Sequence, residues 1–295
     1  MPKKQYAVKR LSEKRLKIIA IANQIIDEYR GLGLNLTLRQ LYYQFVARDL
    51  IPNDNASYKR LGKTISDGRR LGLVDWSAIE DRTRNLKGRT TWDSIAQIMD
   101  ATIDSYHKDM WAEQDTRVEL WVEKEALAGV FDRVCHEYSV PIMACRGYMS
   151  DSEMWNAAQR ILARASNYGN ITLILHFGDH DPSGIDMTRD IEDRLHLFGA
   201  GQYLDVRRIA LNEDQIQEYN PPPNPAKVTD SRAKEYIKKY GDQSWELDAL
   251  DPTTLQNLAE DHIANVIDTG QWEIDEEIIN GEKDTIREFV DSLEQ

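Results

Sequence analysis

The run Ile171-Thr-Leu-Ile-Leu-His-Phe177, followed at once by Gly178-Asp-His-Asp-Pro-Ser-Gly184, constrains this chain more than any other stretch. Seven uncharged, mostly apolar residues stopped by a glycine predict a strand buried on both faces, as in a parallel sheet. Asp179 and Asp181 stand two apart in extended backbone, so both carboxylates leave on one side and His180 on the other. At the carboxyl end of a parallel strand, where open α/β sheets bind ligands, such a pair repels unless a cation or a proton sits between them. Oxygen-only ligands favour Mg2+, with Mn2+ as a substitute, over zinc. A purely structural use is equally open, because Asp181-Pro182-Ser183 also reads as a helix start, with Asp as N-cap and Pro at N1.

A third acid stands at an equivalent place. Val118-Glu-Leu-Trp-Val-Glu123 is another short apolar run, and Lys124-Glu125-Ala-Leu-Ala opens the segment after it. The pattern predicts strand 118–123, helix 125–138, strand 140–145, helix 151–168, strand 171–177 and a helix from about 183. Right-handed crossovers make these strands parallel in one α/β sheet. Glu123, Asp179 and Asp181 then form an acidic cluster at neighbouring strand ends, suited to a divalent metal and to phosphate chemistry. Leu204 to Leu211 predicts a further strand. Tyr219-Asn-Pro-Pro-Pro-Asn-Pro225 suits neither helix nor central strand and predicts a stiff arm.

Charge divides the chain. The net charge is -13, yet residues 1–92 hold 19 Lys and Arg against 9 Asp and Glu, a net +10, while 93–295 hold 18 against 41, a net -23. A basic front on an acidic body is expected if only the front meets phosphate. That front predicts a helix over 16–29, a Thr-capped helix from Thr37 to about Asp49, and a third over 58–70 with basic residues outward. Leu73 to Trp76 and the basic loop 81–89 follow. On the second helix Leu38, Leu41, Tyr42 and Phe45 form the apolar stripe. Tyr43 lies off that stripe, four residues after Arg39 on the same flank, and is expected to be exposed. A phenol of pKa about 10 is a poor nucleophile at neutral pH, and a guanidinium beside it can stabilise phenolate and attacked phosphate alike.

Three sets of residues carry a resemblance. Val122-Glu123-Lys124 with Gly178-Asp179-His180-Asp181-Pro182-Ser183-Gly184 resembles the Toprim domain, in the form found in the topoisomerase VI A subunit and the meiotic double-strand-break transesterases. Thr37-Leu38-Arg39-Gln40-Leu41-Tyr42-Tyr43 is similar to that family's active-site motif, and Ser244-Trp-Glu-Leu-Asp-Ala-Leu250 to a later segment of it. Gln40 departs from the acid usual there. The chain is shorter than a typical A subunit and looks more like the compact stand-alone relatives.

The resemblance implies an N-terminal winged-helix domain over 1–108, with helix 58–70 in the major groove. A Toprim domain over 109–295 would follow, its mostly parallel Rossmann-like sheet flanked by helices and extended by a helical C-terminus. It implies Tyr43 as nucleophile, Arg39 as its assisting cation, and Glu123, Asp179 and Asp181 as the Mg2+ site. Mg2+-dependent transesterification of double-stranded DNA follows, with a homodimer pairing the Tyr of one subunit with the metal of the other. A separate ATPase subunit is a further implied partner.

Two rival readings share these residues: a Toprim nuclease in which water attacks and no adduct forms, and a DNA-binding module that needs a partner for activity. Glu246 lies close enough in motif order to join the metal's surroundings, although a helix start explains it more simply. His176 and His180 lack zinc-ligand spacing. Gly62-Lys63-Thr64 is no phosphate loop, because position 57 is Ser and no strand precedes it. Cys135 and Cys145 suit small buried roles in a reducing interior. No apolar run approaches the roughly 18 residues of a membrane span, so the expectation is a cytoplasmic, nucleoid-associated protein with no membrane contact.

Overall fold

The structure, a computed structural model, describes residues 3–80, 90–226 and 228–293. The basic loop 81–89 therefore lies outside the described residues. The N-terminal unit comprises α1 (Glu13–Gly31), β1 (Leu36–Thr37), α2 (Leu38–Ala47), α3 (Asn55–Arg70) and β2 (Ile79–Glu80). Its helices enclose a core of Ile25, Leu36, Leu41, Phe45, Leu61 and Ile65. Thr37 caps α2 in a reciprocal box: its hydroxyl accepts from the Gln40 N–H at 3.2 Å, and Gln40 Oε1 accepts from the Thr37 N–H at 2.8 Å. Gln40 is thus committed to holding the helix start. β1 and β2 pair in parallel, and residues 76–78 form a single 3-10 turn, so the segment from Leu73 to Trp76 starts no ribbon. Gly62, Lys63 and Thr64 lie inside α3.

After α4 (Ile95–Ser105) comes the sheet domain: β3 (Thr116–Val122), α5 (Glu125–Glu137), β4 (Ile142–Ala144), α6 (Asp151–Tyr168), β5 (Ile171–Phe177), α7 (Pro182–Leu197) and β6 (Leu204–Ala210). All pairings are parallel and the spatial order is β4-β3-β5-β6. Alternation sorts β3 between two cores. Val118, Leu120 and Val122 face α5, where Leu127, Val130 and Phe131 cover them, while Trp121 faces Met154, Ala157 and Ile161 of α6. Both faces are therefore buried, which is why the strands read as continuous apolar runs.

The chain closes with α8 (Glu213–Tyr219), the hairpin-like pair β7 (Asn224–Pro225) and β8 (Gln243–Ser244) around α9 (Ala233–Tyr240), then α10 (Pro252–Ala264) and the long α11 (Thr269–Leu293). α10 packs on α5, and α11 packs on α4, so α4 sits against the C-terminal part of the molecule. No described helix is long and apolar enough to cross a membrane.

Segment 244–251 ties the two parts together. Ala249 enters the N-terminal core, and the Tyr29 hydroxyl donates to Asp251, the N-cap of α10. These contacts fix the basic unit against the carboxyl ends of the sheet strands.

Candidate functional site

The chain leaves β3 toward β4 on one side and returns as β5 on the other, so the carboxyl ends of β3 and β5 flank a topological switch point, where open α/β sheets form their ligand crevice. Glu123 follows β3 directly, and Gly178-Asp179 follows β5. The Glu123 carboxylate accepts the Asp179 N–H at 2.8 Å. Glycines allow this closeness: a Cβ on Gly184 would collide with the Asp179 carbonyl and stand 3.0 Å from Glu123 Oε2, and one on Gly178 would stand 3.1 Å from the same oxygen. Beneath the turn the half-buried Arg208 guanidinium donates to the carbonyls of Gly178 (3.0 Å), Asp179 (2.6 Å) and Gly184 (2.8 Å).

Asp179 is buried and doubly engaged. One oxygen accepts the Leu247 N–H at 2.8 Å, and the other meets Lys124 Nζ at 2.8 Å. Burial nevertheless pushes its carboxyl upward against the pull of Lys124. Burial also drives Glu123, helped by the Asp179 charge, up to about 7. Asp181 serves as N-cap of α7, its Oδ1 accepting from Gly184 N and Ser183 Oγ, each at 2.7 Å. The structure therefore brings Glu123 and Asp179 together and gives Asp181 a helix-capping role beside them. Among the described residues no three Asp, Glu, His or Cys side chains are placed to hold a metal ion as they stand. The ammonium of Lys124 supplies the local positive charge. The donor chemistry fits a hard cation, since the acids are all oxygen donors and a proton or cation is needed to relieve Glu123.

Lys124 also meets Glu246 at 3.2 Å and Asp248 at 3.0 Å. Glu246 in turn pairs with Arg39, whose Nε stands 3.5 Å from Asp248. A line of charges thus runs from Glu123 and Asp179 through Lys124, Glu246 and Asp248 to Arg39, all within one chain. Burial opposes the positive charge on Arg39, and Glu246 with Tyr43 and Asp248 outweighs it, leaving the guanidinium firmly protonated.

Tyr43 corrects an expectation. It is 3% exposed and belongs to the N-terminal core, packed 5.2 Å from the Tyr42 ring. The periodicity of α2 predicted an exposed flank there, but the segment 246–249 and the 224 arm cover it. The hydroxyl accepts a long hydrogen bond from Asn224 Nδ2 at 3.4 Å, and the Arg39 guanidinium lies 5.8 Å from the ring centroid. Burial and then Glu246 push the phenol up to about 12, while Asn224, Arg39 and Lys124 oppose them.

Lys124, Asp248, Asn224 and Arg208 were not singled out from sequence. Lys124 carries a signal, because it follows directly on the acid at a strand end. The others reach the site across about a hundred residues of chain or from the edge strand β6. His180 is held by the Tyr236 hydroxyl at 2.7 Å and packs on Tyr240, while His176 contacts Thr188 at 2.8 Å. Cys135 and Cys145 are both free and buried. No family model matches this chain, and no curated protein matches it either.

Proposed function

We propose that the chain cleaves double-stranded DNA by metal-dependent tyrosine transesterification, with Tyr43 as the attacking group. The observation that carries this reading is the line of ion pairs from Arg39 to Asp179, which sets the flank of Tyr43 and the carboxylates of the switch point in one polar seam. The N-terminal unit would work as a winged helix, with α3 in the major groove; the exposed Lys59, Arg60, Lys63 and Arg70 on that helix support it. The sheet domain would be a Toprim domain, in which Glu123 and Asp179, with Asp181 beside them, hold Mg2+. When bound, the ion supplies charge neutralisation at the scissile phosphate.

The chain's own residues account for the remainder. In the resting protein Glu246 occupies the Arg39 guanidinium and raises the phenol. A DNA phosphate taking the place of Glu246 exchanges one anion for another on Arg39 and brings the guanidinium onto the group to be attacked, beside the Tyr43 hydroxyl. Tyr43 Oη then forms a bond to phosphorus as the bond to a deoxyribose oxygen breaks; the phenol proton leaves to solvent and the departing alkoxide takes one up. Bond energy is kept in the phosphotyrosyl link, so the step reverses. Access requires the Asn224 arm to withdraw from the hydroxyl. Because the seam joins Tyr43 to the acids of its own chain, this reading departs from the cross-subunit pairing that the resemblance implies, and cutting both strands takes two copies of the chain, each acting on one strand.

Replacing Tyr43 with Phe should abolish covalent protein–DNA adducts on a denaturing gel while leaving DNA binding intact. Adducts formed undiminished by the variant would remove Tyr43 from the reaction. The burial of Tyr43 favours a second reading, a nuclease in which water attacks at the same acids. Cleaved DNA with no protein attached, produced equally by the Tyr43→Phe variant, selects that reading.

A further inference from the structure

A second feature of the N-terminal unit lies away from Tyr43. The leading segment folds back onto the end of α3: Gln5 bridges to Leu71, and the N–H groups of Tyr6 and Ala7 both donate to the Arg70 carbonyl, at 2.7 and 2.9 Å. Gly72 makes this approach possible. It sits at φ +72°, where side chains are disfavoured, and a Cβ there would stand 3.0 Å from the Gln5 nitrogen. The result is an aromatic pair at the surface, with the Tyr6 and Trp76 rings 5.6 Å apart and edge to face. The Trp76 indole N–H reaches the Lys4 carbonyl at 3.4 Å, and Arg69 lies 5.5 Å from the Trp76 ring while donating to the Trp76 carbonyl at 2.6 Å.

The pair is held in place and stays exposed among the described residues. Tyr6 is 64% exposed and Trp76 37%, and together with Ala7 and Arg70 they line a groove of about 380 Å3. Among the described residues no acid pairs with Lys4 or Arg70 at its rim, while Asp75 nearby is taken up by Arg30. The exposed Tyr6 ring, with the Lys4 ammonium 5.4 Å from its centroid and Trp76 set edge to face beside it, matches a ligand with a flat apolar ring and a phosphate. A base-paired, stacked duplex hides its π-faces, so the rings have no use against it.

We propose that the Tyr6–Trp76 groove binds an unstacked nucleotide of DNA, with the base stacked on the Tyr6 ring and edge-on to Trp76 and its phosphate toward Arg70 and Lys4. The inference rests on the reading of the N-terminal unit as DNA-binding, and adds a preference for substrates in which strands part.

The test measures binding by fluorescence anisotropy, with the full chain in the Tyr43→Phe background and EDTA present, so that neither tyrosine attack nor metal-dependent hydrolysis intervenes. A blunt duplex is compared with the same duplex carrying a single-stranded overhang. The parent should bind the overhang substrate more tightly, and the Tyr6→Ala/Trp76→Ala double variant should lose about tenfold or more on it while changing less than about twofold on the blunt duplex. A Tyr6→Phe/Trp76→Phe variant keeps the rings and should retain the preference, separating stacking from folding. Equal parental affinity for both substrates, or an equal loss on both, overturns the proposal. So does saturable binding of a proline-rich peptide in the groove with no overhang preference. Failure of the adduct assay leaves this result standing, so the two readings fail separately.

Discussion

Glu119 and Glu123 stand four residues apart on one strand and its exit, and their surroundings push them in opposite directions. Glu119 faces α6, where its oxygens accept from Arg160 at 3.0 and 2.8 Å, from Arg164, and from the Trp121 indole at 3.0 Å. Burial pushes this carboxyl up, and Arg160, with Trp121 and Arg164, overcomes it, so it is held below the usual carboxylate range. Glu123 is pushed up to about 7 by burial and then by the charges of Asp179 and Asp181, against the Asp179 N–H it accepts and the Lys124 ammonium. One acid between two guanidiniums is a finished structural element. Several acids around Lys124 and Arg39 are a site still able to gain from a further cation. Satisfied burial is what a scaffold needs, whereas the half-buried Glu123, at the open end of the same strand, keeps a charge that its surroundings oppose.

The largest expected effect lies on the scaffold side. Glu119→Gln leaves two guanidiniums facing a neutral amide and should cost roughly 3 kcal/mol in urea unfolding, the low end for breaking a buried pair because both arginines keep some contact with water. The pH dependence has a definite sign. The folded carboxyl binds its proton less tightly than the unfolded one, near 4.5, so its pairing contributes fully above that pH and is lost as pH falls through the folded value. The variant should lack this part of the loss between neutral pH and acid. An unchanged acid transition would mean that Glu119 is no better satisfied than Glu123.

A smaller effect should follow on the site side from Lys124→Met. With chelator present, the loss of the ammonium leaves buried Asp179 facing Glu123 without it, at a cost of about 2 kcal/mol after allowance for the partial exposure of Lys124. Mg2+ should restore much of that stability, and more of it in the variant than in the parent. A variant that stays weak at saturating Mg2+ would show that Lys124 is a strut and not a stand-in for a cation.

How far these contrasts were legible beforehand follows from sequence distance. The sheet from 116 to 210 could be read, because apolar runs bounded by glycine and by helix starts are local signals; α6 and β5 fall where the pattern puts them. Glu123 and Asp179 could be placed at neighbouring strand ends by the same logic. The burial of Tyr43 could not, because a helix wheel reports only the face turned to its own core, and the cover arrives from Asn224 and residues 246–249. The partners of Lys124 lie 122 and 124 positions away at Glu246 and Asp248, beyond any periodicity. Glu119 itself looked like one more residue of an apolar strand, since its guanidiniums come from the next helix but one in the chain. α4 was missed although Ser94, three residues before Gln97, is a legible cap signal and does cap the helix; the acids Asp100 and Asp104 among its apolar residues and the basic loop just before it masked that signal.

The smallest stability effect is the most discriminating one. Glu123→Gln keeps an oxygen that can accept the Asp179 N–H and removes a charge that burial and Asp179 both oppose, so stability should change by less than about 1 kcal/mol and could rise. The same substitution at Glu119 should cost about three times as much or more. The response to metal should invert that order: Mg2+ should raise the melting temperature of the Glu119→Gln protein by as much as the parent's, and leave the Glu123→Gln protein nearly unmoved, because linkage requires a ligand that prefers the folded site. Isothermal titration with Mg2+ supplies the check without any cleavage assay. If both glutamines destabilise alike and both proteins respond to the ion alike, the two acids are equivalent members of one framework. The case for chemistry at the ends of β3 and β5 then loses its physical ground, because an acid that the fold has already satisfied has no reason to recruit a cation.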